Sequence, residues 1–208
     1  MKSLDIEELY KYISVHERWS YGFKDAKPVE INEYNIKAAN LSGKDLRSIN
    51  FAKNRMENCK FVRTNFTDAN LSFLDLSNPD CTSANFKNAN CQGIRIVGGI
   101  FENACFDNDD IRQAIAVDAD FHGASFKNAK LYSSDFSMLN FKNCDFENAN
   151  LENTDFSGSN LENVSFKNAI LDKANFAGAN LKNADFEGVS LSETVFDKAN
   201  LEGTILKK

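Results

Sequence analysis

The strongest constraint on this chain is a hydrophobic residue that recurs at every fifth position without an insertion. The column runs from Leu41 to Leu206, and its 34 positions hold 16 of the 18 Phe, with 12 Leu, two Ile, two Cys, one Met and one Ala. A helix would spread this column around its circumference, and a strand would place it alternately on both faces. A chain that turns a corner every five residues keeps the whole column inside.

Two further columns share this period. The residue two before each central hydrophobic residue is often Ala, and the residue two after it is Gly or Asn at 20 of the 33 positions from Gly43 to Gly203. Gly accepts a positive φ freely and Asn tolerates it, as position i+2 of a type II turn requires. We therefore expect the centre and the small residue to point inward, with a tight turn after each centre.

A longer period of 20 residues sets the number of sides. Phe recurs at this spacing at seven centres: Phe66, Phe86, Phe106, Phe126, Phe146, Phe166 and Phe186. Twenty residues make four sides of five, and identical residues that stack let each coil pack on its neighbours. The column of centres predicts about eight coils.

Blocks such as ADFHG, ANLEN, ANFAG, ANLKN and ADFEG carry a recognisable signature. They resemble the A(D/N)LXX repeats of the pentapeptide-repeat family, over roughly residues 36–206. The resemblance implies an all-β fold, a right-handed quadrilateral β-helix, in agreement with the usual hand of parallel crossovers. It also implies that the chain dimerises end to end, as members of the family often do.

Residues 1–35 lie outside the repeats. We therefore predict that they form a cap on a solenoid of residues 36–208. Apolar residues recur there at helical spacing: Ile6, Leu9, Tyr10 and Ile13. Asp5 followed by Glu8 approximates a capping box. Three aromatic residues come next: Trp19, Tyr21 and Phe23. We predict a helix and an aromatic plug over the first coil, because solenoids need capped ends. A helix that binds a separate partner is the alternative.

Composition narrows the class of protein. A net charge of −6 argues against nucleic-acid and anionic-membrane binding, which usually involve an excess of Lys and Arg. No stretch approaches the roughly 18 apolar residues of a membrane span, and the N-terminus is not typical of a secretory signal. We expect a soluble, cytoplasmic protein. The five Cys form no CxxC pair and are expected to be reduced, with Cys105 the one outside the core.

The residues that catalysis needs do not come together in this pattern. The two histidines, His16 and His122, lie in the cap and the solenoid and suggest neither a metal site nor a triad. The glycines belong to turns, and the carboxylates occupy outward columns where little raises a pKa. We expect no catalytic residue, metal or cofactor, and therefore no enzyme.

Departures from the repeat mark the middle coils as the candidate site. Residues 67–120 carry three basic and nine acidic residues, and several apolar side chains fall in outward columns. The candidate protein-binding residues are Asp107, Asp109, Asp110, Asp118, Asp120, Val97, Ile115, Val117 and Met138. Because Asp109 falls in an inward slot, where a carboxylate is costly, we predict a local bulge from Asp109 to Asp118.

Three functions remain open at this point. The first is a rigid, non-enzymatic scaffold for protein–protein interaction through the acidic and irregular middle coils. The second, implied by the resemblance, is a DNA mimic that binds DNA gyrase or topoisomerase, inhibiting it or protecting it from quinolones. The interspersed Lys and Arg and the absence of room for projecting loops weaken it. A purely structural role is the third. We expect a homodimer joined through the last coil at Ile205 and Leu206, with no nucleic acid or membrane bound directly.

Overall fold

The computed structural model describes residues 1–205, and a parallel β-solenoid occupies most of them. One helix, α1 (Ile6–Ser20), lies near the N-terminus. Six short strands follow one another along one wall: β1 (Lys2–Ser3), β2 (Tyr34–Lys37), β3 (Arg55–Glu57), β4 (Asp75–Ser77), β5 (Arg95–Val97) and β6 (Ile115–Val117). We call the wall that contains them the strand wall.

The register of the solenoid is 20 residues. From β2 to β6 each strand pairs in parallel with the next, so that residue i lies opposite residue i+20. Isolated bridges with the same register hold the other walls, from Glu30 paired with Asn50 to Asp185 paired with Ile205. This register confirms a parallel solenoid with four sides of five residues. The count of about eight coils and the right hand of the coil stay predictions, as does the domain boundary at residue 35.

The corners are left-handed, as the Gly and Asn column predicts. The residue two after each centre has a positive φ, for example 70° at Gly43 and 58° at Asn88. The N–H of the next residue then closes the turn onto the centre, as Lys44 N does onto Leu41 O at 3.2 Å. Because the corner imposes this conformation, even a bulky residue adopts it, and φ is 54° at Phe73.

The centres form the core. The seven Phe residues spaced by 20 stack face to face, with ring centroids 4.6 to 5.5 Å apart. Several small-residue slots hold a hydroxyl instead of Ala, and it donates to the carbonyl 23 residues earlier. Thr64 Oγ1 donates to Leu41 O at 2.7 Å, and Ser134 Oγ to Ile111 O at 2.9 Å. These bonds satisfy polar groups that would otherwise be costly to bury.

The N-terminal cap is built differently from the prediction. Asp5 caps α1 as expected, accepting the N–H groups of Glu7 and Glu8. The buried face, however, is formed by Leu9, Ile13 and His16, whereas the predicted face also contained two residues that are exposed, Ile6 and Tyr10. Strand β1, which the sequence did not predict, pairs with β2 and adds its own short strand to the wall.

The predicted aromatic plug is wrong for two of its three residues, and the third, Trp19, is only half-buried. Tyr21 and Phe23 are exposed, and the Arg18 guanidinium lies over the Phe23 ring. The end of the core is covered instead by aliphatic side chains from β1, α1 and the first coil: Leu4, Leu9, Ile13 and Ile31. Hydrophobic content alone could not distinguish these two arrangements, because both bury residues of the same segment.

The predicted bulge between Asp109 and Asp118 is also wrong. Asn90 pairs with Asp110 and Ile115 with Asp135 in the ordinary register, and Asp109 lies fully buried in its slot. The backbone therefore stays regular and the burial penalty is borne by the carboxyl group itself.

Candidate protein-binding surface

Three of the predicted apolar residues come together on the strand wall. Val97 ends β5 and Val117 ends β6, and their Cα atoms are direct partners in the parallel ladder. Ile115 lies two residues before Val117, so both side chains point out of the same face of the strand. Ile115 and Val117 are exposed and Val97 is half-buried.

A corner without side chains, Gly98 and Gly99, connects this group to Ile100, which the sequence analysis did not predict as part of the site. Gly98 and Gly99 turn the chain from the strand wall onto the next wall, which begins with exposed Ile100. The glycines are required there, because a Cβ at Gly99 would come within 2.5 Å of Pro79 Cδ. Six residues thus form one surface, which we call the apolar corner: Val97, Gly98, Gly99, Ile100, Ile115 and Val117.

The sequence did contain a signal for Ile100. The residues at the same position on the neighbouring coils are polar, since Ile100 pairs with Asp80 on one side and with Asp120 on the other. An aliphatic residue that interrupts such a column is as irregular as Ile115. The regular Phe centre that follows Ile100 makes this irregularity hard to detect in the sequence.

Carboxylates surround the apolar corner. We call four of them the carboxylate rim: Asp80, Glu102, Asp118 and Asp120. No ion pair found among residues 1–205 includes any of them. Asp120 accepts the His122 N–H at 2.9 Å and the Asn140 side-chain amide at 2.8 Å, which orient it without neutralising its charge. The rim therefore presents negative charge that this part of the chain does not compensate.

Met138 borders the rim. It occupies the corner position 20 residues after Asp118 and is 78% exposed. Its thioether lies over Gly158 of the next coil, where a Cβ would come within 2.3 Å of Met138 Sδ. The side chain thus lies along the wall rather than extending freely into solvent.

Asp107 does not belong to this surface. Its column follows the centre Phe106, so it lies at the corner diagonally opposite the apolar corner. Its Oδ1 accepts the Ser125 hydroxyl and, at 3.1 Å, the Lys127 N–H. A single acidic surface that includes Asp107 is therefore not formed.

Asp110 is separated from the rim as well. It lies on another wall and forms an ion pair with Arg112, whose Nε is 2.6 Å from Asp110 Oδ1. Burial alone would raise the pKa of Asp110, but the hydrogen bonds from Arg112 outweigh it and hold that pKa below its ordinary value. Arg112 also donates to the Tyr132 hydroxyl at 2.6 Å. Arg112 therefore largely neutralises the negative charge of Asp110.

Asp109 cannot contact a partner, so its place among the candidate surface residues is wrong. The side chain is fully buried, and neither carboxyl oxygen has a hydrogen-bond partner among the described residues. Burial raises the pKa of Asp109 well above its ordinary value, which keeps the carboxyl group neutral.

The repeats of this chain match two sequence families. The profile described as pentapeptide repeats (8 copies) matches residues 35–68 and 64–103, and that described as pentapeptide repeat region matches residues 119–196. The chain belongs to the pentapeptide-repeat family. No curated protein sequence matches it closely enough to count as a relative.

Solved pentapeptide-repeat structures resemble the fold. HetL, involved in heterocyst differentiation regulation in the cyanobacterium Nostoc, is 17% identical over 98% of this chain and 95% of its own, with a TM-score of 0.51. QnrB1, a plasmid-mediated fluoroquinolone resistance protein, is 23% identical over 81% and 83%, with a TM-score of 0.45. Rfr23 from the cyanobacterium Cyanothece is 34% identical over 41% and 63%, with a TM-score of 0.33. These similarities concern the fold alone.

Lys residues on the later coils of this pentapeptide-repeat protein neutralise some of the carboxylates there. Lys side chains form ion pairs with Glu residues exactly one coil further on, and the pairs are Lys127–Glu147, Lys142–Glu162, Lys167–Glu187 and Lys182–Glu202. Exposed pairs of this kind contribute little stability. Their consequence is that part of the negative charge of the later coils is neutralised, whereas none of these pairs includes a residue of the carboxylate rim.

The structure also bears on the predictions about metal binding, the cysteine thiols and membrane-spanning helices. Among residues 1–205, no group of three His, Cys, Asp or Glu side chains is placed to hold a metal ion. Cys105 is half-buried and the other four thiols are buried, as expected. No helix in that range is long and apolar enough to cross a membrane. A cytoplasmic location stays a prediction.

Proposed function

We propose that this pentapeptide-repeat protein is a non-enzymatic scaffold that binds another protein through the apolar corner and the carboxylate rim. The observation that carries the proposal is the exposure of Ile100, Ile115 and Val117 beside carboxylates without ion-pair partners. An apolar group framed by polar residues is typical of a site that another molecule covers. Interfaces commonly combine such an apolar centre with a polar edge.

The fold supports this role because it holds the surface in place. The corner rests on the ladder between β5 and β6 and on stacked Phe rings, among them Phe101 over Phe121 with centroids 4.9 Å apart. A surface that is already ordered has little conformational entropy to lose on binding.

Crosslinking from the corner tests the proposal. A photoreactive residue at position 100 should crosslink one protein in source cells, and that protein should then be purified for affinity measurements. Val97→Asp combined with Val117→Asp should weaken its binding at least tenfold. Ile170→Asp is the matched control, because Ile170 is similarly exposed but lies on another wall. Equal affinities for the double variant and the control would contradict the proposal.

DNA mimicry is the second candidate, and the uncompensated rim is the observation that favours it. A mimic needs negative charge distributed along the rod, whereas on the later coils four of the Glu residues are paired with Lys. Gyrase supercoiling, with and without a quinolone and at two salt concentrations, separates the candidates. Inhibition or drug protection that fades with salt, and is lost on charge reversal at Asp80, Asp118 and Asp120, would favour mimicry.

We also propose that the scaffold is a homodimer joined through its last coil. Leu201 is a centre residue, yet it is 41% exposed, and Ile205 is 40% exposed, whereas centres along the shaft are buried. A second copy would cover these side chains. Leu206, the other residue predicted at this end, lies outside the described residues.

A further inference from the structure

The strands on both sides of the apolar corner are already paired in the ladder. Ile100 N donates to Pro79 O at 2.9 Å, and Asp120 N donates to Gly99 O at 3.1 Å. The ladder therefore offers no free strand edge here, and a partner cannot bind by adding a strand. It must bind through side chains, and its own backbone groups must find partners elsewhere. An α-helix meets this requirement, because its backbone hydrogen bonds are internal.

The spacing of the column that contains Ile100 also fits a helix. Asp80, Ile100 and Asp120 lie on consecutive coils, each paired with the next. Paired strands are about 4.8 Å apart, so the two carboxylates lie roughly 10 Å apart with Ile100 midway. Residues i and i+7 of a helix are about 10.5 Å apart, with i+3 and i+4 between them on the same face.

An extended strand laid along the same column fits less well. Its same-face residues are separated by about 6.8 Å and then about 13.6 Å. Neither distance coincides with the spacing of roughly 5 Å and 10 Å in the column. A strand would therefore contact the isoleucine or the two carboxylates, but not all three together.

We propose that the occupant of the apolar corner is an amphipathic α-helix of the partner that runs along the solenoid axis. Lys or Arg at positions i and i+7 lies over Asp120 and Asp80, and an aliphatic residue at i+3 or i+4 packs on Ile100. Glu102 and Asp118 flank this column and complement further basic residues on the sides of the helix. The inference rests on the proposed function and specifies the partner's chemistry.

Two synthetic helices test the inference. The first carries Lys at i and i+7 and Leu at i+4; the second has the same composition, but one Lys is moved by two positions so that the two Lys leave the common face. Helicity is matched by circular dichroism, and Kd is measured by fluorescence anisotropy at 50 and 300 mM salt. The first helix should bind up to roughly fivefold more tightly, since one exposed ion pair contributes at most about that factor, and the difference should be larger at low salt.

Matched variants identify the site. Asp80→Asn with Asp120→Asn should remove the preference for the first helix, and Asn is a native residue of this column at Asn140 and Asn160. Asp68→Asn is the control, because Asp68 accepts the Asn88 amide in another column and should leave the preference intact.

Two results would overturn the inference: equal Kd values for both helices, or an equal loss of preference in the Asp68→Asn control. Neither would contradict the proposed function, which fails only if the Val97→Asp and Val117→Asp double variant still binds the crosslinked partner normally. A crosslinked segment that proves to be a strand or a loop would overturn the inference and leave the proposed function standing.

Discussion

The ring of Phe73 lies over Gly93 of the next coil, so closely that a Cβ at position 93 would come within 2.7 Å of two ring carbons. Phe73 is 55% exposed and occupies a left-handed corner with φ of 54°, a conformation that is unfavourable for a bulky residue. The glycine thus allows an aromatic side chain to lie flat at a corner, a position that is Asn or Gly at 20 of 33 places along the solenoid.

Gly93→Ala should push the Phe73 ring into solvent and destabilise the protein. The left-handed backbone costs Ala about 1–2 kcal/mol. Gly43→Ala has the same backbone cost, because φ is also positive there, but a Cβ at Gly43 meets nothing within 4 Å. Chemical denaturation followed by circular dichroism should therefore show a larger loss for Gly93→Ala. In a Phe73→Gly background the two losses should become equal, because a glycine one coil earlier leaves the nearest atom 4.0 Å from a Cβ, as at Gly178. A persistent difference would contradict this explanation.

Asp109→Ser should stabilise the protein at neutral and alkaline pH, by about 1–3 kcal/mol, because it removes an unsatisfied buried carboxyl group. Ser is suited to this slot, since Ser134 in an equivalent slot donates to the carbonyl 23 residues earlier. The measurement is the free energy of unfolding of both proteins between pH 4 and pH 9.

The sign of the pH dependence follows from the raised pKa of Asp109. The unfolded carboxyl ionises near pH 4, whereas the folded one stays protonated to much higher pH. The contribution of Asp109 to wild-type stability is therefore most favourable below about pH 4 and falls as the pH rises toward the raised value, so the two stability curves diverge with pH. Parallel curves for Asp109→Ser and the wild type would contradict the assignment.

The N-terminal cap should loosen in acid because of His16. Its Nε2 lies 2.8 Å from Arg47 O, and its Nδ1 accepts the Val29 N–H at 3.1 Å, so the ring is neutral with its proton on Nε2. Burial lowers the pKa of His16 below its ordinary value. Protonating Nδ1 would break the bond to Val29. This stabilisation is therefore complete above about pH 6.5 and is lost as the pH falls toward the lowered pKa.

Trp19 reports on this change. It is the single Trp of the chain, and its ring centroid is 5.3 Å from that of His16. Its emission should shift to longer wavelength on acidification below about pH 6.5. His16→Gln should lower the stability of the cap but remove that titration. An unchanged titration in His16→Gln would assign the effect to another group.

Light scattering at micromolar concentration should give the mass of a dimer. Leu201→Asp should yield a monomer, because the charge would have to be buried between two last coils. Ile170→Asp, at an exposed position on the shaft, should leave the dimer intact. A monomeric wild-type protein would contradict the proposed end-to-end contact.

The repeat itself could be predicted almost completely from the sequence. Inward and outward positions follow from the geometry of a five-residue side, and the left-handed corners follow from Gly and Asn, so the stack from Phe66 to Phe186 was foreseeable. The pairing of Val97 with Val117 was foreseeable for the same reason, since both belong to one column. Each of these features depends on contacts whose spacing the chain repeats.

Other features depend on contacts that do not repeat. The burial of His16 and the strand β1 result from how α1 packs on the first coil, and no local pattern specifies that orientation. Asp107 and Asp118 belong to one acidic stretch of sequence, yet the corners separate them onto different walls. The backbone at Asp109 is regular although the carboxyl is buried, and the burial that raises the pKa of Asp109 depends on the surrounding coils. The sequence by itself therefore determined the solenoid and its core. Only the tertiary structure decided how the cap packs, how Asp109 is buried and how Ile100, Val97 and Val117 form one apolar surface, because each of these depends on residues far apart in the chain.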